Sequence, residues 1–263
     1  MKSSPSANEL VNELYTPRVE EARRRFAAEV TARLTDPSMS AAVLERFLIQ
    51  FCATGVRMTE PVEGWIRRAG QRCQEVGLVA LGRSLEKHAE HEADHHLMMI
   101  ADTRHLVSGW NERRRPALDA DTLLAAGPTP ATDAYVELHE DVIASDSPFR
   151  QLSIEFEIER LSTTFGPPLM EQCKRLLGSG ITDGLSFLVE HIEIDQGHTL
   201  FNERQLEKLL THDPSFAEPL ARTGAAALEA YRGFLEQCLA IAEVEQASAR
   251  RVARDAGPHM VQA

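Results

Sequence analysis

The sequence lacks the features that define several classes of protein. Its four cysteines, Cys52, Cys73, Cys173 and Cys238, are widely separated and form no C-x-x-C pair. Scattered single cysteines indicate free thiols in a reducing compartment rather than a disulfide framework. No apolar run approaches the length of a membrane span, and the first fifteen residues contain no apolar signal core. We therefore expect a cytoplasmic protein that does not associate with a membrane.

Positive charge is also scarce. The chain has 28 Lys and Arg residues against 40 Asp and Glu residues, which gives a formal net charge of -12. Proteins that bind nucleic acids concentrate Lys and Arg on one surface, so we expect no nucleic-acid partner. The one basic run, Arg113-Arg114-Arg115 before Pro116, is interpreted as a solvated loop.

Alternating clusters of β-branched residues, which are typical of strands, are absent as well. Apolar residues instead recur at three- and four-residue spacing, and 43% of the residues are hydrophobic. This pattern predicts an all-α protein, a single domain of about seven helices over residues 1–248. The remaining residues, 249–263, are expected to form a disordered tail.

Capping residues and prolines set the boundaries of the predicted helices. The helices are predicted to cover residues 16–34, 41–55, 59 onward, 76–107, 132–144, 148–165, 183–210 and 214 onward. Thr16-Pro17 and Ser40 are the start signals of the first two, and Gly166-Pro167-Pro168 is expected to end the sixth. The stretch 111–133, rich in Pro, Asp and Thr, is expected to be the main loop region.

The stretch "HIEIDQGH" is the first candidate for chemistry. His191, Asp195 and His198 stand at positions i, i+4 and i+7. At about 100° per residue, their side chains fall within an arc of about 60° on one helix face. Two imidazoles and a carboxylate are suitable ligands for iron or another first-row transition metal. The alternative is a buried hydrogen-bonded network of the same residues, and this pattern alone leaves both interpretations open.

A second cluster lies in and before the stretch "HEADHH". His88, His91, Glu92 and His95 fall within about 100° of arc on the predicted helix 76–107. The letters also match the H-E-x-x-H motif of zinc peptidases, in which His91 and His95 would bind zinc and Glu92 would activate water. The extended form of that motif has glycine where this chain has Met98. A zinc hydrolase would also leave "HIEIDQGH" without a role.

The same letters, read as Glu92-x-x-His95, give a carboxylate and an imidazole of the kind that helical di-iron sites use. Further carboxylates come from "SIEFEIERL", which places Glu155 and Glu159 on one helix face among apolar residues. A buried carboxylate is unfavourable unless a cation or a metal accompanies it. Ordinary surface glutamates are the competing interpretation for Glu155 and Glu157, and a weaker one for Glu159.

Together these motifs resemble the haem-oxygenase-like di-iron oxidase/oxygenase family. The resemblance rests on Glu92-x-x-His95, then Glu159, then the "HIEIDQGH" stretch, and it spans residues 85–205. It implies a haem-oxygenase-like helical bundle that holds two Fe(II) ions and activates O2. The metal ligands that it implies are Glu92, His95, Glu159, His191, Asp195 and His198.

Two further expectations concern histidines and cofactors. His88 is interpreted as a neighbour that orients the ligands, with an extra ligand as the alternative. No histidine precedes His88, so an early proximal haem ligand is missing and we expect no haem.

The expected partners are O2, a small-molecule substrate and an external electron donor. The chain is also expected to form a homodimer, and manganese could replace one iron.

Members of the family that share similar ligands catalyse different reactions, so the substrate pocket matters. The stretch "GVRMTEPVEGW" offers Arg57, Glu60 and Glu63. The two carboxylates would suit a cationic amine or guanidine-like substrate, whereas a dominant Arg57 would suit a carboxylate. Surface charges at a helix start are the alternative for these residues. We expect N-oxygenation of a small amine in a natural-product pathway. The alternatives are oxidative decarboxylation, desaturation or C–C cleavage of a fatty or amino acid, hydrolysis by a zinc enzyme, and non-catalytic metal storage.

Overall fold

The computed structural model describes residues 9–255, most of which are helical, and these residues contain no strand. The all-α prediction is confirmed. The α-helices are α1 (Thr16–Phe26), α2 (Ala32–Leu34), α3 (Ala41–Thr59), α4 (Val62–Glu75), α5 (Val79–Ala89), α6 (His95–Arg113), α7 (Ala120–Leu124), α8 (Pro130–Ala144), α9 (Gln151–Thr164), α10 (Gly166–Leu177), α11 (Ser186–His212) and α12 (Ala217–Asp255).

The first helix begins earlier than its proline predicted. π-Helical turns at Val11–Tyr15 and Ala27–Thr31 join α1 and α2 into one rod over residues 9–34. Thr16 does not cap this rod, because Tyr15 before it is already helical. The predicted cap of the next helix is confirmed, since the Ser40 side chain accepts a hydrogen bond from the Val43 backbone N–H that begins α3.

The predicted continuous helix over residues 76–107 is wrong. α5 ends at Ala89, and α6 begins at His95 after a short non-helical connection. Within that connection Asp94 adopts a left-handed conformation with φ of 64°, which a continuing right-handed helix cannot contain. His88 therefore belongs to one helix, Glu92 to the connection and His95 to the next helix, so they do not share one helix face.

The basic run is not a solvated loop in full. Arg113 and Arg114 contact the carboxylate of Glu45 on α3 at 2.6 and 2.5 Å, and Glu45 is only 1% exposed. The interpretation is wrong for these two arginines because they neutralise a buried acid of another helix. Arg115 is exposed. Of the predicted loop 111–133, residues 114–119 and 125–129 are irregular, while the rest belongs to the end of α6, to α7 and to the start of α8.

The helices pack so that α11 lies against α9 and α6, while α3 lies against α6 and α12. α12 also contacts α1, α8 and α9. Its helical backbone continues past Ser248 to Asp255, and the rest of the expected tail, 256–263, lies outside the described residues. All four cysteines are buried free thiols. Within residues 9–255, we find no helix with the length and apolar character that crossing a membrane requires.

Candidate metal centre

Four helices and one connection bring together all six predicted ligands and His88. The donors are His88 from α5, Glu92 from the connection, His95 from α6, Glu159 from α9, and His191, Asp195 and His198 from α11. Each of these residues except His198 is at most 9% exposed. The α11 helix is continuous over its three donors, as the i, i+4, i+7 spacing predicted.

The first group of donors consists of Glu92, His95 and His191. One ligand atom of each lies within 4.8 Å of the others. The Glu92 Oε2 atom is 3.0 Å from His95 Nδ1, and the rings of His95 and His191 meet edge to face with centroids 4.8 Å apart. A carboxylate and two imidazoles at this spacing could hold one divalent transition-metal ion.

The second group consists of His88, Glu92, Glu159 and His198, whose ligand atoms also lie within 4.8 Å of one another. His88 Nε2 is 2.7 Å from Glu159 Oε1, and His198 Nδ1 is 3.6 Å from the same oxygen. The structure thus places His88 among the donors themselves.

Glu92 is common to both groups. Its Oε2 atom faces His95, while its Oε1 atom lies 3.4 Å from His198 Nδ1 and 3.9 Å from His88 Nε2. A carboxylate with one oxygen directed to each of two donor groups has the arrangement of a ligand that bridges two metal ions.

The donor atoms fit metal ions because they are buried and lack hydrogen-bond partners. Such atoms are His88 Nε2, Glu92 Oε1, His95 Nδ1, Glu159 Oε1, both carboxylate oxygens of Asp195 and His198 Nδ1. They approach one another closely, yet none has hydrogen-bond geometry with another. An unsatisfied buried polar group costs about 1–3 kcal/mol, and more when it is charged. Two divalent cations would satisfy these atoms together.

Asp195 lies beside the second group. It is 1% exposed, and its Oδ1 atom is 3.2 Å from His198 Nδ1. It does not belong to either of the two closely spaced groups. Because neither of its oxygens has a hydrogen-bond partner, it remains available as a third carboxylate for the centre.

Contacts behind the donors fix their orientation. His191 Nδ1 lies 2.7 Å from the Phe187 carbonyl oxygen, and Asn202 Nδ2 donates to Glu159 Oε2 at 2.6 Å. These contacts leave His191 Nε2 and Glu159 Oε1 for a metal. His198 Nε2 faces His91 Nδ1 at 3.4 Å, which leaves His198 Nδ1 directed inward.

The H-E-x-x-H letters do not form a zinc-peptidase site. Residues 90–94 are not helical, so His91 and His95 do not face one metal from adjacent turns of a helix. His91 is exposed and contacts the outer nitrogen of His198 instead. The structure therefore does not support the zinc-hydrolase alternative.

The electrostatics of the centre reflect its crowded carboxylates. Burial raises the pKa of Glu159 well above its usual range, and the Asp195 carboxylate raises it further. Burial also acts to raise the pKa of Glu92, but the neighbouring His95, His191 and His88 outweigh it and hold that pKa at about 2. Bound divalent cations would favour the ionised form of both carboxylates.

A largely apolar cavity adjoins the donors. The space between atoms there amounts to about 980 Å3 when the adjoining open solvent is included. Glu92, Glu159, His191 and Asp195 contribute to its lining. Much of the wall is aromatic, from Phe47, Phe51, Phe165, Phe187, Tyr231 and Phe234. No Lys or Arg of the described chain lines it. The cavity could hold an apolar organic molecule next to the metal centre.

The three residues predicted for a substrate pocket lie elsewhere. The guanidinium of Arg57 donates to the Ala126 carbonyl oxygen at 3.0 and 2.8 Å, Glu63 pairs with Arg67 at 2.5 Å, and Glu60 is exposed. None lines this cavity. The end of α3 turns Met58 inward and leaves Arg57 and Glu60 exposed, and Glu63 lies in the first turn of α4. Surface charge, the alternative interpretation, describes Arg57 and Glu60 at the end of α3, and only Glu63 lies at a helix start.

Glu155 is a cavity residue that the sequence interpretation left undecided. It is 7% exposed and lines the cavity, and the Gln151 side-chain amide donates to its Oε1 atom at 2.5 Å. Burial raises the pKa of Glu155 to about 8 against the opposing effect of His88. The signal that could have identified it was its position one turn before Glu159 on the same apolar face.

Comparison with known proteins supports the fold. No protein-family model matches the chain, and no curated protein matches it. A solved structure from Shewanella denitrificans OS217, described as a domain of unknown function with a heme oxygenase-like fold, is similar with a TM-score of 0.72. It is 14% identical, and the match covers 90% of this chain and 94% of that one.

A TenA homolog from Pseudomonas syringae pv. tomato DC3000 is also similar, with a TM-score of 0.64. It is 13% identical, and the match covers 91% of this chain and 98% of that one. At such low identity the likeness extends to the fold alone. The chain therefore has a heme oxygenase-like all-α fold, as the sequence motifs implied.

Proposed function

We propose that this protein is a non-haem di-iron oxidase or oxygenase that uses O2 to oxidise a small, largely apolar amine at its nitrogen. The observation that carries this proposal is the pair of buried donor groups that share Glu92 beside an apolar cavity. Hydrogen bonds within the protein do not satisfy the donor atoms, and their mixture of imidazole and carboxylate suits ferrous iron.

Each donor has a defined part in this proposal. His95 and His191 would hold one iron, His88, Glu159 and His198 would hold the other, and the Glu92 carboxylate would be available to both. Asp195 adds a third carboxylate, so that three negative charges offset most of the charge of two ferrous ions. The irons, when bound, supply the electrons with which O2 is reduced.

The remaining residues position the substrate and exclude water. The aromatic side chains around the cavity would bind the apolar body of the substrate and hold its reactive end beside Glu92 and His191. Phe187 has two roles, because it lines the cavity and its carbonyl oxygen orients His191. An external electron donor would return the centre to the ferrous state between turnovers.

Oxidative decarboxylation of an apolar carboxylic acid is the second candidate. The aromatic and aliphatic wall of the cavity suits the hydrocarbon chain of such an acid as well as that of an amine. The two candidates differ in their products, since one yields an N-oxygenated compound and the other releases CO2.

The test is anaerobic titration of the metal-free protein with Fe(II), followed by exposure to O2 and stopped-flow absorbance. We expect two irons per chain and a transient visible band, and then O2 consumption that depends on an added apolar amine. One metal per chain, with a preference for zinc and no response to O2, would overturn the proposal. Iron uptake with O2 consumption that is indifferent to every organic compound would indicate storage instead.

A further inference from the structure

We propose that Glu155 is the substrate-recognition residue, a carboxylate that binds the protonated nitrogen of an apolar amine inside the cavity. The inference rests on the proposed function and names the substrate class and the residue that selects it. Glu155 is separate from both donor groups, although it lies on the same helix as Glu159.

The first observation is that Glu155 is a buried acid without a cation. Its residue is only 7% exposed, yet no Arg, Lys or His among the described residues forms an ion pair with it. Of the other buried acids outside the metal centre, Glu45 is neutralised by Arg113 and Arg114, and Glu157 by Arg23. Asp102 has no cation either, but its carboxylate accepts three hydrogen bonds, from the Ser186 and Phe187 backbone N–H groups and the Ser186 hydroxyl. Burial favours the neutral acid over an unpaired carboxylate, so a cationic partner from outside the chain would stabilise the charged form of Glu155.

The second observation is the place of Glu155 in the cavity. It belongs to the lining, together with aromatic residues of α3, α8 and α12, and no basic side chain of the described chain belongs to it. An ammonium group would supply the missing positive charge, and its hydrocarbon part would contact the aromatic wall. A carboxylate substrate would find no cation there other than the metal ions.

The third observation is a buried scaffold that holds Glu155 in place. The Gln151 side-chain amide donates to Glu155 Oε1 at 2.5 Å and to His139 Nδ1 at 2.8 Å. The His139 ring in turn stacks on Trp65, with centroids 4.0 Å apart and planes 9° from parallel. Such a fixed carboxylate is suited to recognition, because little side-chain freedom remains to be lost when a ligand binds.

The experiment measures binding without turnover. The Fe(II)-loaded protein is titrated anaerobically by calorimetry with straight-chain primary amines of four to eight carbons, and with the alcohol and the carboxylic acid of each length. We expect the amine to bind more tightly than the alcohol of the same length by about 10- to 100-fold, the range for a hydrogen bond to a charged group. Glu155→Gln should abolish this preference and leave the affinity for the alcohol unchanged.

Three comparisons keep the result interpretable. Glu155→Asp keeps the charge and should retain part of the preference for amines. Glu137→Gln removes the same charge from an exposed site on α8 and should bind like the unchanged protein. Iron content should remain at two per chain in Glu155→Gln, because Glu155 is outside the donor groups. If Glu155→Gln does not fold, Glu155→Asp and Gln151→Leu still test the proposal, since both should weaken only amine binding.

Several outcomes would overturn the proposal: no amine in the series binds, the acid binds more tightly than the amine, or Glu155→Gln keeps the preference. These outcomes are distinct from a failure of the proposed function. Amine binding that depends on Glu155, without any reaction with O2, would overturn the oxidase and leave the recognition role intact. Substrate-dependent O2 consumption with unchanged amine binding in Glu155→Gln would do the reverse.

Discussion

His191 Nδ1 lies 2.7 Å from the carbonyl oxygen of Phe187, one turn earlier on the same helix. Because a carbonyl oxygen only accepts hydrogen bonds, Nδ1 carries the ring proton and Nε2 keeps a free lone pair. The helix that presents His191 therefore also sets its tautomer and directs Nε2 towards Glu92 and His95. Mutation of His191 should therefore affect metal binding directly.

We expect His191→Ala to reduce substrate-dependent O2 consumption by more than about 100-fold, because even the loss of contacts behind a ligand typically costs 10–100-fold. Iron content should fall below two per chain, while the circular dichroism spectrum stays helical. His212→Ala is the matched control on α11, since His212 is exposed at the end of the helix. Equal O2 consumption in the two variants would remove His191 from the centre.

Glu92→Gln tests the shared carboxylate. Loss of one charge that faces both donor groups should weaken both metal sites, so we expect iron content below that of the unchanged protein after gel filtration. Metal binding stabilises a folded protein by mass action, and the rise in melting temperature on adding Fe(II) anaerobically should shrink accordingly. Glu90→Gln, an exposed neighbour, should keep both properties. A full complement of iron in Glu92→Gln would refute the bridging role.

The stability of the metal-free protein should depend on pH through Glu155. The pKa of Glu155 is raised to about 8 by burial, above the value of about 4.3 for an unfolded chain. The Glu155 carboxyl group thus binds its proton more tightly in the folded protein than in the unfolded chain. Its contribution to the free energy of unfolding is complete below about pH 4 and is lost as the pH rises towards 8.

Glu155→Gln has no proton to lose at this position. Relative to the unchanged protein, we expect its free energy of unfolding to increase between pH 5 and 8, by at most about 1.4 kcal/mol per pH unit. Urea unfolding of both proteins, measured without metal at several pH values, gives this difference. A difference that is constant with pH would contradict the raised pKa.

Removal of the partners of Glu45 should destabilise the protein. The double variant Arg113→Ala/Arg114→Ala leaves a carboxylate that is 1% exposed without a cation. A broken buried pair typically costs about 3–5 kcal/mol, but Arg113 is 57% exposed, so we expect about 2 kcal/mol after screening by solvent. Urea unfolding of the metal-free protein measures this loss.

Two controls accompany that measurement. Arg115→Ala, in the same basic run but exposed, should change stability by less than about 0.5 kcal/mol. Adding Glu45→Gln to the double variant should restore most of the loss, because the unpaired charge is then absent. A double variant as stable as Arg115→Ala would show that Arg113 and Arg114 do not neutralise Glu45.

Much of this molecule was predictable because its signals are local. The three- and four-residue apolar spacing predicted an all-α protein, and Ser40 predicted the start of α3. His191, Asp195 and His198 were predictable as one group because α11 is continuous through them. The identity of the other candidate donors followed from the order of motifs in the sequence.

Local signals failed where a single backbone conformation or a distant partner decided the outcome. Asp94 interrupts the predicted helix 76–107 by adopting a positive φ. Nothing in the local sequence distinguishes this Asp from one inside a helix. Arg57 points away from the cavity because its guanidinium reaches the Ala126 carbonyl oxygen, far along the chain. The positions of the Arg113 and Arg114 side chains likewise depend on their ion pairs with Glu45, which lies on another helix.

The sequence by itself therefore determined the helical class and the set of side chains available to bind metal, since spacing and residue type are properties of the chain. Only the tertiary structure decided which donors meet. With the break at Asp94, His88, Glu92 and His95 lie on three separate segments and all contact the α11 histidines, whereas His91 is exposed. Packing of α9 against α11 adds Glu159 to the donors and leaves Glu155 in the cavity without a cation. These relationships join residues that are distant in sequence, and no local periodicity encodes them.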